Sequence, residues 1–171
     1  MNCAVVQAIY HIMHKMKYQN RKEEKTLGIY LDGRTSQNAS LANSITTPIL
    51  VGSEELFGII GLDVTKATVG QIRVQFNGTV AVQLPLVPLA TSINIRIVRG
   101  TEQTGFTTVY SAEEALELSI LGPQLITFSG ADFNPPKPVS GPLVYSALIS
   151  ATAVGTVRRG PESFSAIATA G

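Results

Sequence analysis

From residue 71 onward, apolar and polar residues alternate with a period of two, the signature of strands that bury one face. In QIRVQFNGTVAVQL (71–84) the apolar row runs Ile72, Val74, Phe76 and then Val80, Val82, Leu84. Asn77-Gly78 sits in the middle and is a turn signal. A two-residue hairpin would put the two apolar rows on opposite faces. A three-residue loop over 77–79 pairs Phe76 with Val80 and keeps them together, and is the preferred reading. One long strand with a glycine bulge would also preserve the phase. Further strands are predicted at 92–99 (SINIRIVR), 106–110 (FTTVY), 124–129 (QLITFS), 143–151 (LVYSALISA) and 163–170 (SFSAIATA). Short apolar segments at 56–60 and 62–65 precede them, and VGTVRRG (154–160) links the last two. AEEALELSIL (112–121) is ambiguous between a helical turn and a strand. Pro85, Pro88 and NPPKPVSGP (134–142) break the ladder, because proline lacks the donor a central strand needs.

About eight strands separated by Gly and Pro turns predict an all-β, two-sheet sandwich over 53–171, jelly-roll-like or immunoglobulin-like, with the long prolyl connections leaning toward the former. Ahead of it, residues 4–19 predict an amphipathic helix with Val5, Ile9, Ile12, Met13 and Met16 in one stripe, so that 1–25 form a helix or leader. Residues 26–52 read as an extended arm with a short strand at 26–31, since 32–48 are rich in Ser, Thr, Asn and Gly.

Composition changes the picture in one respect. Charged residues make up only 15% of the 171 residues, against about 25% in an average soluble domain. A surface so poor in charge is one that neighbouring copies of the chain can cover. Residues 1–25 carry Lys15, Lys17, Arg21, Lys22 and Lys25 against Glu23 and Glu24, which leaves the body slightly acidic. That balance argues against a nucleic-acid partner. The apolar stretch precedes the basic cluster, the reverse of a secretory signal, so a cytoplasmic product or release by another route is expected. No apolar run is long enough to predict a membrane span.

Chemistry has little to work with. His11 and His14 both lie in the N-terminal segment, and Cys3 is the single cysteine, so no nucleophilic triad or zinc set is predicted within the body. No catalytic residue, cofactor or metal site is assigned. Asp63 and Asp132 beside strands are weak calcium candidates without a clustered pattern. Arg158-Arg159 reads as a solvated turn, and Glu54-Glu55 and Glu113-Glu114 as solvated segment edges. Of the two glycosylation-type triplets, Asn77-Gly78-Thr79 reads as turn chemistry and Asn38-Ala39-Ser40 as chance. Cys3 is either an inert thiol or the seat of an intermolecular disulfide.

The stretch LFGIIGLDVTKATVGQIRVQFNGTVAV, followed by INIRIVRG and the closing SFSAIATAG, resembles spore-surface jelly-roll proteins of Bacillus- and Clostridium-like bacteria, the exosporium and endospore-appendage type. The resemblance covers roughly 55–170. It implies a non-catalytic, self-assembling component of a spore surface layer or fibre, with itself and other spore-surface proteins as partners. Appendage subunits carry paired cysteines in their connector, and Cys3 alone departs from that. An arm can add a strand to a neighbour's sheet, and Leu41, Ile45, Ile49, Leu50 and Val51 are the candidates. The alternatives are a ligand-binding or adhesive module using loops 85–91 and 130–142 at one end of the sandwich, and a virion structural protein.

Overall fold

A computed structural model describes residues 28–68 and 70–171, and the predicted helix at 4–19, His11, His14 and Cys3 lie outside the described residues. Nine strands follow in order: β1 (Ile29–Ala39), β2 (Thr47–Pro48), β3 (Glu55–Leu62), β4 (Ile72–Gln83), β5 (Ser92–Thr101), β6 (Gly105–Ala115), β7 (Gln124–Phe133), β8 (Leu143–Ala151) and β9 (Val157–Ala170). Sheet A has the order β1-β9-β4-β7, with β2 also on β9; sheet B has the order β3-β8-β5-β6. All pairings are antiparallel. First strand against last in one sheet, with successive strands crossing between sheets, is a jelly roll, and this decides between the two sandwich topologies. The alternating rows predicted at 71–84, 92–99 and 143–151 lie inward, Ile93, Ile95 and Ile97 among them.

Two segments depart from the sequence reading. Residues 29–39, assigned to the arm, form a full strand paired with β9 from Ile29↔Ala170 to Ala39↔Glu162. Its polar composition hid it, because one of its faces is solvated and only Leu31 and Ala39 are buried. The second departure is Asn77-Gly78, which makes no turn. β4 runs straight through it, pairing with β7 from Arg73↔Phe133 to Val82↔Gln124. The phase is kept without a bulge at Gly78, and the irregularity falls instead between Val80 and Val82.

The reason lies across the strand. Phe76 pairs with Gly130, and Gly78 pairs with Phe128. A Cβ on Gly78 would collide with Cζ and Cε1 of the Phe128 ring, and one on Gly130 would meet Phe76 at 2.6 Å and Tyr110 at 2.8 Å. Each ring thus lies over the bare backbone of the opposite strand. On the other side of β4, Gly78 faces Phe164, whose ring stacks on Phe128 at 6.4 Å and 25°. Phe164 reaches sheet B as well, where a Cβ on Gly58 would stand 2.6 Å from its own Cβ. Phe57, Phe76, Phe128, Tyr145 and Phe164, all buried, make this the centre of the core, with Tyr110 at its margin.

Gly78→Ala is therefore expected to destabilise the domain by about 2–3 kcal/mol, the ordinary result of forcing an extra carbon into a packed core. Combining it with Phe128→Leu should cost less than the two single changes added together. Urea unfolding of the four proteins checks this, and strict additivity would disprove the ring-over-glycine account.

Candidate functional site

The strands place the loops in two groups. Loops 40–54, 84–91, 116–123 and 152–156 gather at one end, tied by Ile49 N donating to Thr156 O (2.9 Å), Leu116 N to Thr91 O (2.9 Å) and Thr152 N to Ser92 O (3.1 Å). Gln83 Nε2 also donates to Leu121 O at 3.1 Å. Residues 63–68 and 70–71 and loops 102–104 and 134–142 occupy the opposite end, where Asn134 N donates to Ile72 O and Lys137 Nζ to Thr65 O and Ala67 O. Loops 85–91 and 134–142 cannot share a binding site. β4 and β7 separate them by about 30 Å, ten residues at ~3.3 Å each.

The first end is apolar and nearly free of charge. Leu86 is fully exposed, and Val87, Leu121 and Val154 are each more than 70% exposed. Leu41, Leu50, Val51, Leu89, Leu118 and Ile120 join them. Across these four loops the only charged residues are Glu54 and Glu117. Both are engaged: Glu54 with Arg96, and Glu117 as acceptor from Ser119 Oγ at 3.0 Å. Leucine and valine at that exposure leave apolar surface in water, each worth roughly 1.5–3 kcal/mol when covered.

The candidate arm residues divide. Leu41, Leu50 and Val51 belong to this exposed end and Ile45 is half-buried, but Ile49 is only 2% exposed and sits in the core. Thr47 and Pro48 already pair with Arg158 and Val157 of the same chain. The apolar run LPLVPL (84–89) overlaps loop 85–91, a surface candidate from the sequence, whereas LELSIL (116–121) is not among the candidates. Both carry the same signal: apolar residues lying beyond the last paired position of a strand, close to prolines that forbid pairing.

A second apolar feature crosses the outer face of sheet B. A groove of about 540 Å³ has Val98 and Ser146 on its floor, Leu56 and Ile59 on one wall and Phe106 on the other. Arg96 lies along it, donating through Nε to Glu54 Oε1 at 2.6 Å. That hydrogen bond, with the Arg96 charge, holds the Glu54 carboxyl below its usual range.

The remaining charged candidates are structural. Arg158 is not solvated: it is buried and donates through Nη1 to both Glu162 oxygens at 2.9 and 2.7 Å. Asn38 Nδ2 joins them by donating to Glu162 Oε1 at 2.8 Å and to Phe57 O at 2.6 Å. Asn77 lies mid-strand, accepting from Ser165 Oγ at 2.7 Å. Asp63 accepts from Thr65 N and Oγ1, while Asp132 pairs with Arg99 and accepts from Tyr145 OH at 2.9 Å. The two aspartates are thus spent on separate partners. Among the described residues, no three His, Cys, Asp or Glu side chains gather into a group that could hold a metal. Among them, too, no helix is long and apolar enough to cross a membrane.

No family model matches the chain, and no curated protein matches it. Solved structures do. The infectious bursal disease virus Gx strain structure matches with 12% identity and a TM-score of 0.46, over 81% of this chain and 33% of that one. The VP2 subviral particle of the same virus matches with 14% identity and a TM-score of 0.45, over 81% and 32%. The Eiger TNF structure from S. frugiperda matches with 11% identity and a TM-score of 0.37, over 82% and 90%. The chain spans about a third of the length of the viral chains it is similar to.

Asp132 bridges the sheets, since it lies on β7 of sheet A while Arg99 and Tyr145 lie on β5 and β8 of sheet B. Burial, and then the Asp132 charge, push the Tyr145 hydroxyl far above its ordinary value. A raised folded-state pKa gives stability that is complete below the unfolded tyrosine value of about 10 and is lost as pH rises past it. Tyr145→Phe should cost about 1 kcal/mol at neutral pH and flatten the decline between pH 9 and 11. Urea midpoints across that range check it, and an unchanged alkaline slope would count against the assignment.

Proposed function

We propose that the chain is a non-catalytic structural subunit that associates with further copies of itself through the apolar loop end. The observation that carries this reading is the concentration of exposed Leu, Val and Ile on four loops that hold only two charged residues. A self-contact suits such a surface. Where two identical patches meet about a two-fold axis, residue i meets residue j and j meets i, and a patch almost without charge has no unpaired charge to bury in that contact. The lack of basic residues there also removes the usual attraction to anionic membranes and nucleic acid.

The spore-surface setting is part of the proposal and rests on the residue pattern at 55–170. Immunogold labelling of sporulating producer cells tests it. Label on the outer spore surface is expected, and label confined to the cytosol would sink the setting while leaving self-association standing.

Association itself is tested by Leu86→Glu combined with Leu121→Glu. Both side chains are exposed, at 101% and 73%, so the fold is expected to tolerate them. Sedimentation velocity should give a smaller species than the wild-type chain at the same concentration. Equal masses for the two proteins would rule out the loop end as a contact.

A further inference from the structure

We infer that β7, a free edge of sheet A, pairs with β7 of a second copy in an antiparallel register centred on Ser129, so that sheet A runs on from one subunit into the next. The contact is separate from the apolar loop end and goes beyond the self-association proposed there.

The sandwich has four edge strands: β1 and β7 in sheet A, β3 and β6 in sheet B. An edge strand carries a row of N–H and C=O groups without strand partners, and natural proteins blunt such edges with bulges, charges or proline. Three of the four are blunted. β1 holds Asp32 and Arg34 and is irregular at two places. β3 is irregular between Leu56 and Gly58. β6 skips Val109 in its pairing and holds Glu113 and Glu114 near its end. β7 has none of these devices. Its ten residues, QLITFSGADF, pair with β4 without a break in register. They include no proline and one charge, Asp132, which is turned inward to Arg99 and Tyr145. Among the described residues, no strand lies against its outer edge.

The order of side chains along β7 selects a second copy as the occupant. A two-fold axis normal to the sheet keeps each face on its own side, so it must pass through a residue that faces its own counterpart. The middle of β7 falls between Phe128 and Ser129. Centred on Phe128, the pair would oppose two aromatic rings at about 5 Å. Centred on Ser129, Phe128 faces Gly130 of the second copy and Gly130 faces its Phe128. That repeats the exchange of ring and glycine by which β7 pairs with β4. On the outer face Thr127 meets Ala131, and at both ends Leu125 meets Phe133. Leu125 and Phe133 are 59% and 61% exposed and stand four residues either side of Ser129, so each covers the other. On the inner face Ile126 meets Asp132, whose charge is already met within its own chain.

No charge is set against its like. Tyr110 of β6 stacks on Phe128 and therefore stands nearly level with the axis. Glu113 is three residues beyond it. Its counterpart then lies about six residues, roughly 20 Å, along the edge, about twice the distance over which salt screens surface charge. An edge-to-edge contact draws its affinity from main-chain hydrogen bonds, here over positions 125–133, more than from buried area. The rotation reverses one copy, so the pair presents an apolar loop end in each direction. Loop-end contacts can then join pairs into a fibre.

The experiment uses the full chain carrying Cys3→Ser, which leaves an introduced cysteine without a competing thiol. Ser129→Cys, Thr127→Cys and Thr127→Cys/Ala131→Cys are exposed to oxidised glutathione in dilute solution and run on a non-reducing gel. Opposed residues stand about 5 Å apart at Cα, within disulfide reach, whereas Thr127 and its counterpart would be about 14 Å apart. Ser129→Cys and the double variant are expected to link into dimers at least about tenfold more than Thr127→Cys. Sedimentation velocity of Leu86→Glu/Leu121→Glu, with and without Ser129→Lys, gives the second readout. Circular dichroism confirms that each is folded, and Ser129→Glu replaces Ser129→Lys should the latter not fold. The loop variant is expected to be a dimer, weakened at least about tenfold by the like charges that Ser129→Lys brings together. If wild type and the loop variant are dimers of equal mass that Ser129→Lys dissociates, the edge pairing holds and the loop-end reading fails. Ser129→Cys linking no better than Thr127→Cys overturns the edge pairing. So does a dimer indifferent to Ser129→Lys. A monomeric loop variant overturns it as well, and leaves the edge to a strand of another protein.

Discussion

The fold depends on rings lying over glycines. Phe76 and Gly78 on β4 face Gly130 and Phe128 on β7, so that in this antiparallel pair each aromatic ring meets a position without a side chain. Between paired strands, opposed side chains stand only about 5 Å apart, too close for two aromatic rings to lie flat inward at successive pairs. Alternating ring and glycine lets both strands contribute large side chains to one layer. Phe164 then stacks on Phe128 and spans to Gly58 of the other sheet. Phe57 meets Phe128 edge-on, Tyr110 stacks on Phe128 and meets Phe76 edge-on, and Tyr145 lies tilted against Phe76.

Polar groups inside the sandwich follow the same economy of position. Glu162 would be a costly buried carboxylate by itself, but Arg158 and Asn38 meet both of its oxygens. Asp132 is met from the opposite sheet by Arg99 and Tyr145. Buried charge therefore fastens β1 to β9 at one place and sheet A to sheet B at another. The surface is left with little charge of its own, which is the property the sequence composition announced.

Much of the fold is legible in the residues, and the exceptions share a cause. Period-two alternation marks β4, β5 and β8 because their inward faces are continuous. Only Ile29 to Leu31 of β1 fall in the strand predicted at 26–31, since IYLDGRTSQNA buries only two apolar side chains and its place is fixed by hydrogen bonding to β9, which leaves no mark on composition. Asn77-Gly78 has turn chemistry locally and is overruled by a partner fifty residues away. The clue was present as a repeat: FNG at 76–78 and FSG at 128–130 space ring and glycine identically. The surface features were less readable. Whether Leu56 or Leu62 faces water depends on the β3 bulge between Leu56 and Gly58, and the gathering of four loops at one end follows from topology alone.

β1 begins and β9 ends side by side, Ile29 pairing with Ala170, and Gly171 exchanges hydrogen bonds with Gln71 at the end of the sandwich remote from the apolar loops. The subunit is therefore vectorial. Where two copies meet through those loops about a two-fold axis, the paired ends Ile29 and Ala170 of each point away from the contact, so the dimer carries the same strand ends at both of its poles.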